Sequence, residues 1–165
     1  MSRIESGKIK LEHRVFALKD LFDQIQGMFQ QRAQDAGVDF RVEGDDFMAL
    51  KVFGDELRLS QVLVNLVSNA LKFTPSGGQV ILEARQKAAN EQDVSLEFIV
   101  TDTGIGISEE FQSHIFEPFD QEAAATGRQY GGTGLGLSIS SSFVNMMGGE
   151  ISVHSKPGEG SQRCV

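Results

Sequence analysis

Two glycine-rich turns, Asp102-Thr103-Gly104-Ile105-Gly106 and Gly131-Gly132-Thr133-Gly134-Leu135-Gly136-Leu137, follow a segment that carries Asn65 and Asn69 four residues apart. These residue types suit a nucleotide with bound magnesium. Glycine lets backbone N–H groups approach phosphate oxygens without a Cβ in the way. A carboxylate such as Asp102 accepts from an exocyclic amine, and a neutral amide oxygen suits a hard cation that keeps waters and phosphates around it. Each signal also has a plainer reading. An Asn pair can cap neighbouring backbone or face solvent, an Asp at a strand end can simply start a turn, and a glycine run can be a hinge. The order of all three along one chain is what favours a site.

Two common nucleotide folds do not fit. Gly104-x-Gly106 reaches Glu109, and Gly134-x-Gly136 reaches Ile139, where a dinucleotide fingerprint needs a third Gly or Ala; a Gly-Lys-Ser/Thr phosphate loop is missing as well. The net charge of −8 argues against a general nucleic-acid binder, since backbone affinity rests on clustered Lys and Arg. A single cysteine, Cys164, leaves no disulfide framework and no thiolate zinc site. The longest apolar stretches, Val62 to Leu71 and Leu135 to Met147, fall short of the ~20 residues that span a bilayer, and Met1 opens no secretion leader. The reading is one cytoplasmic domain without membrane contact.

The elements that must position these residues are legible from periodicity. Ile9 to Phe16 reads as an early strand. Leu18 to Ala36 reads as an amphipathic helix, with Leu18, Leu21, Phe22, Ile25, Met28, Phe29 and Ala33 on one face and Gly37 as its stop. Short strands over Val38–Val42 and Ala49–Phe53 flank an acidic turn at Gly44-Asp45-Asp46. Asp55 caps a helix that runs to Phe73 and stops at Thr74-Pro75. Its apolar stripe is Leu59, Val62, Leu63, Leu66, Val67 and Ala70, which lines Gln61, Asn65 and Asn69 along another flank, with Lys72 a turn further on. Gln79–Arg85 and Val94–Thr101 read as paired strands around a turn near Asn90. Ser108 caps a short helix to about Ile115. Gly134–Met147 is a third long helix whose N-terminus suits phosphate, ended by Gly148-Gly149, and Glu150–Ser155 reads as the last strand. The expected class is α+β: a two-layer α/β sandwich with a mixed, mostly antiparallel sheet covered on one face by three helices.

The array Asn65-x-x-x-Asn69-Ala70-x-Lys72-Phe73-Thr74, Asp102-x-Gly104-x-Gly106, Phe116-Glu117-Pro118-Phe119 and Gly132-Thr133-Gly134-Leu135-Gly136-Leu137 resembles the catalytic and ATP-binding domain of sensor histidine kinases, of the GHKL superfamily. The resemblance implies ATP and Mg2+ as cofactors. By it, Asn65 and Asn69 handle metal and phosphate, with Lys72 beside them as a catalytic residue. Lys72 and Phe73 flank the nucleotide, Asp102 contacts adenine, and Gly104, Gly106 and Ile107 shape the floor. Phe116 and Phe119 anchor a mobile ATP lid over about 120–131, with Arg128 and Tyr130 at the nucleotide. Gly132, Thr133, Gly134, Leu135, Gly136 and Leu137 follow the phosphates.

By the same resemblance, residues 1–8 are the end of a dimerisation helix, and residues 9–165 form the ATP-binding domain, which is a monomer when isolated. His13, His114 and His154 lack the phosphoacceptor pattern, so the acceptor histidine belongs to a dimerisation domain outside this chain, with a response regulator receiving phosphate in turn. Related ATPases carry a Glu where Asn65 stands, and an amide cannot take a proton from water. A phosphotransferase domain is therefore the first expectation. A nucleotide-binding regulatory module without transfer, or a GHKL ATPase, are the alternatives. The tail Gly160-Ser161-Gln162-Arg163-Cys164-Val165 departs from the family by lacking its alternating aromatic strand, so a truncated or foreign sheet edge is expected there.

Overall fold

The computed structural model describes residues 10–44, 49–117 and 136–165 of the chain. The elements in order are β1 (Arg14–Ala17), α1 (Leu18–Ala36), β2 (Asp39–Gly44), β3 (Lys51–Gly54), α2 (Glu56–Phe73), β4 (Gln79–Ala89), β5 (Val94–Asp102), α3 (Glu109–Gln112), α4 (Gly136–Met146), β6 (Ser152–Lys156) and β7 (Gly160–Cys164). Five strands form one sheet in the order β2-β4-β5-β7-β6, and β1 pairs with β3 in a separate two-stranded ribbon. Only β2 and β4 run parallel; the other pairs are antiparallel. The expected α+β sandwich is the fold found.

The core lies between helices and sheet because each element has one apolar side. Helix α1 buries Leu18, Leu21, Phe22, Ile25, Phe29 and Ala33, and α2 buries Leu59, Val62, Leu63, Leu66, Val67, Ala70 and Leu71. From the sheet come Val80, Leu82 and Ala84 of β4, with Phe98 and Val100 of β5 opposite them. Phe22 of α1 meets Phe98 at a centroid distance of 6.0 Å, which ties helix layer to sheet. Met28, expected on the buried face of α1, is exposed. It sits at the margin of a stripe already filled by Ile25 and Phe29.

Helix ends follow the local chemistry. Gly37 is left-handed at φ 69°, and the adjacent Val38 N–H reaches back to the Ala33 carbonyl, closing α1. Asp55 is buried at the start of α2, where one oxygen accepts from Arg58 N at 2.9 Å and the other from Glu12 N at 2.9 Å. Since it holds two backbone donors, Asp55→Ala should cost about 1–2 kcal/mol. A lower urea midpoint with an unchanged denaturant slope would show this.

Three expectations need correcting. The strand expected over Ile9 to Phe16 is confined to Arg14–Ala17, with residues 10–13 outside any strand, whereas the short strands expected at 38–42 and 49–53 form as β2, which joins β4, and β3, which joins β1. The short helix after Ser108 ends at Gln112 rather than near Ile115, and turns closed by His114 N–Phe111 O and Glu117 N–His114 O follow it. The tail is not foreign to the sheet. Strand β7 lies inside it, between β5 and β6. Ladder bonds need only backbone groups, and the tail supplies them out to Val165, whose N–H and carbonyl both pair with Phe98 at 2.8 Å. Residues 1–9 lie outside the described residues, and with them the dimerisation-helix remnant expected at 1–8.

Candidate nucleotide-binding site

Helix α2 carries the amides on a half-buried flank. Asn65 donates from Nδ2 to Ser140 Oγ of α4 at 2.9 Å, across 75 residues of sequence. The first described residue of α4, Gly136, stands so close that a Cβ there would collide with Asn65 Oδ1. Glycine is required for this approach. It sets the amide oxygen of Asn65 against the start of a helix, where N–H groups lack intrahelical partners and the dipole favours anions. Asn69 lies one turn along α2 and is also half-buried. At the end of the helix, Lys72 Nζ sits 5.2 Å from the centre of the Phe73 ring.

These donors fit magnesium chemically. Among the described residues no group of three or more His, Cys, Asp or Glu could hold a metal. The amide of Asn65 beside the start of α4, with that of Asn69 a turn further along α2, matches a cation that takes few protein ligands and relies on phosphates and water.

Asp102 closes β5 and faces the helix layer, because it pairs with Val80 across β4 and with Ser161 across β7. It is 4% exposed. One oxygen accepts from Gly104 N at 2.9 Å, which is the turn-starting role, and the other accepts from Arg163 Nη1 at 2.6 Å. The turn-starting reading of Asp102 is thus the one found, and its second oxygen is taken up by Arg163.

The turn behind Asp102 is stitched to its surroundings. Ile105 N donates to Phe73 O at 3.2 Å, joining the turn to the end of α2, while Gly158 N donates to Ile105 O at 2.7 Å. Gly106 is left-handed at φ 74° and packs directly on the backbone of Lys156. Ile107 is buried, and its N–H donates to Ser155 Oγ at 2.8 Å. Gln112 Nε2 bonds both Ile107 O and Ser155 O at 2.9 Å. The β6–β7 hairpin therefore holds the floor of the site.

Asn65, Gly136 and Ser140 form one cluster, and Phe73, Asp102, Gly104, Gly106 and Ile107 form a second, with α2 running between the two. Phe116 is half-buried in the turns after α3. Leu137 packs against the hydrophobic core. Phe119, Arg128, Tyr130, Gly132, Thr133, Gly134 and Leu135, together with the lid at 120–131, lie outside the described residues. Sequence reasoning missed Ser140, Ser155, Gln112 and above all Arg163. The alternation of β7, which turns Ser161 and Arg163 inward, was the signal available for the last. Resolved pKa shifts fall away from the site. Burial pushes the Cys164 thiol up, with Glu97 adding to it, which works against a reactive thiolate.

Residues 54–165 match the family described as histidine kinase-, DNA gyrase B- and HSP90-like ATPases. The chain belongs to this family. Over 160 residues it is 41% identical to the signal transduction histidine-protein kinase BarA of Escherichia coli (strain K12), covering 97% of this chain and 17% of that kinase. The crystal structure of full-length ShkA in complex with AMPPNP superposes with a TM-score of 0.83 at 31% identity, over 99% of this chain and 32% of that one. Histidine kinase ThkA in complex with response regulator protein TrrA gives a TM-score of 0.73 at 25% identity, over 99% of this chain and 44% of that one. The chain is a histidine-kinase-type ATP-binding catalytic domain and spans a small part of the kinase it matches. No helix among its described residues is long and apolar enough to cross a membrane.

Proposed function

We propose that this domain holds magnesium-ATP and gives its γ-phosphate to a histidine on a dimerisation domain, for relay to a response regulator. The observation that carries the reading is Asn65, an amide held by Ser140 against Gly136 where a hydrolase needs a base. With an amide rather than a proton acceptor at Asn65, the site suits an imidazole, which brings its own lone pair. Asn65 and Asn69 would hold the magnesium, which supplies charge neutralisation of the phosphates. The amides and the α4 N-terminus bind and orient the chain of phosphates, and Lys72 adds a cation at the end of α2. Asp102 fixes the base. The bond between the γ-phosphorus and the β–γ bridging oxygen breaks as a phosphorus–nitrogen bond forms, leaving ADP.

The test is transfer of labelled γ-phosphate to a separately supplied dimerisation domain, with a no-acceptor control. Acid-labile label on the acceptor with little free phosphate is expected. Rapid acceptor-independent phosphate release would instead make the domain an ATPase, and nucleotide binding without transfer would make it a regulatory module. Asn69→Asp, which puts a fixed negative charge beside the phosphates, should lower transfer at least roughly tenfold and raise the magnesium requirement. Unchanged transfer would remove Asn69 from the site.

A further inference from the structure

Helix α4 buries a hydroxyl where its next turn buries hydrocarbon. Ser140 is 2% exposed and stands just before Phe143 and Val144, which pack into the core. A buried hydroxyl is costly unless it finds a partner, and here the partner is Asn65, whose Nδ2 donates to Ser140 Oγ at 2.9 Å. The contact lies in an antiparallel seam between α2 and α4. Towards one end Arg58 sits over the Phe143 ring at 4.8 Å, and towards the other Asn65 meets Ser140 and Gly136. An amide has two ends of similar size and opposite hydrogen-bonding sense. Turned over, Asn65 would set N–H donors where a cation needs an oxygen lone pair. A serine hydroxyl on a helix can place its own proton on the carbonyl one turn back, as Ser142 does with Ser138 O at 3.0 Å, and it then meets a neighbour as an acceptor. The start of α4, with N–H groups that lack intrahelical partners, favours the oxygen end on its side.

We propose that Ser140 is a positioning residue of the nucleotide site: by accepting from Nδ2 it holds the Asn65 amide with Oδ1 towards the start of α4, available to a phosphate-bound divalent cation. This rests on the reading of Asn65 as a residue that handles the metal. Ser140 itself is set behind Asn65 and acts through it alone. The same bond ties α2 to α4 across 75 residues of sequence, so the amide and the helix start that receives phosphate keep one spacing. Without the hydroxyl, nothing on the α4 side of the seam distinguishes the two ends of the amide except the helix start, and the amide samples both senses.

The measurement is the affinity of the protein for ADP by calorimetry, once in excess magnesium and once in EDTA, the ratio of the two being the magnesium contribution. In Ser140→Ala that ratio should fall on the order of fivefold, the worth of one hydrogen bond, while the affinity in EDTA stays the same. A merely structural role for Ser140 would weaken both affinities together and leave the ratio unmoved, and that result would overturn the proposal. Asn65→Ala should lower the ratio further, and adding Ser140→Ala to it should change nothing more, because the hydroxyl then has no amide to hold. A second, additive loss in the double variant would mean that Ser140 acts by some other route, which also overturns the proposal. If Asn65→Ala keeps the full magnesium contribution, it is the reading of Asn65 beneath the proposal that fails.

Discussion

Asp102→Asn is expected to cost the domain about 3–5 kcal/mol, because it strands the Arg163 cation in a place with almost no water. The side chains of the pair are 2% and 5% exposed, and their contact is 2.6 Å. At this chain length such a loss lowers the melting temperature by on the order of 10 °C. The same substitution exchanges an acceptor for an amide that also donates, so ADP affinity should fall tenfold or more. These two effects come apart in Asp102→Asn/Arg163→Met. Removing both charges takes away the desolvation penalty as well as the attraction, so the double variant should recover most of the melting temperature without recovering ADP affinity. Thermal melts followed by circular dichroism, with titrations on the same samples, make the comparison. A single variant that melts within about 2 °C of the unmodified protein would mean that Arg163 finds another partner.

That pair also marks where reading the sequence ran out. The stripe of α2 was legible residue by residue, because an i, i+3, i+4 pattern of Leu and Val is a local property and Asp55 and Thr74 punctuate it at either end. So were the Gly37 stop of α1 and the Asn90 turn, where Asn90 Oδ1 accepts from Gln92 and Asp93 N–H groups at 2.8 and 2.7 Å. That turn also made the β4–β5 pairing legible, whereas the other strand partners were not. Nothing within residues 39–44 says that they will lie parallel to β4, a strand that follows only after β3 and α2. Strand β7 was misjudged because Gln162 and Arg163 stand where aromatic residues were expected. Polar side chains can occupy inward strand positions once a partner of opposite charge, here Asp102, waits on the neighbouring strand. In the site, Asn65, Asp102 and the glycines were legible from their types and order, but their helpers Ser140, Ser155 and Gln112 were not. A Ser or Gln carries no signal until the fold shows what it reaches.

Gly106→Ala should be among the most damaging single-methyl changes in the chain, and Gly148→Ala shows why. Both glycines have positive φ, 74° and 79°, so alanine pays a left-handed penalty of about 1–2 kcal/mol at either place. At Gly148 a Cβ would meet nothing within 4 Å, and the strain is the whole cost. At Gly106 it would collide with the carbonyl of Lys156 and lie 2.9 Å from Pro157 Cα, backbone atoms that no rotamer change can move aside. Overpacking of that kind adds about 1–3 kcal/mol, for a total of about 2–5 kcal/mol. The collision also pushes the turn away from the β6–β7 hairpin. That separates Ile107 N from Ser155 Oγ, and the Ser155 hydroxyl reaches on to Gly160 O and Ser161 Oγ beside Asp102 and Arg163. Gly106→Ala should therefore lose nucleotide affinity beyond what its stability explains, measured well below its melting temperature. Gly148→Ala, at the far end of α4, should bind as the unmodified protein does. Equal affinities in the two variants would mean that the hairpin contact does not hold the floor of the site.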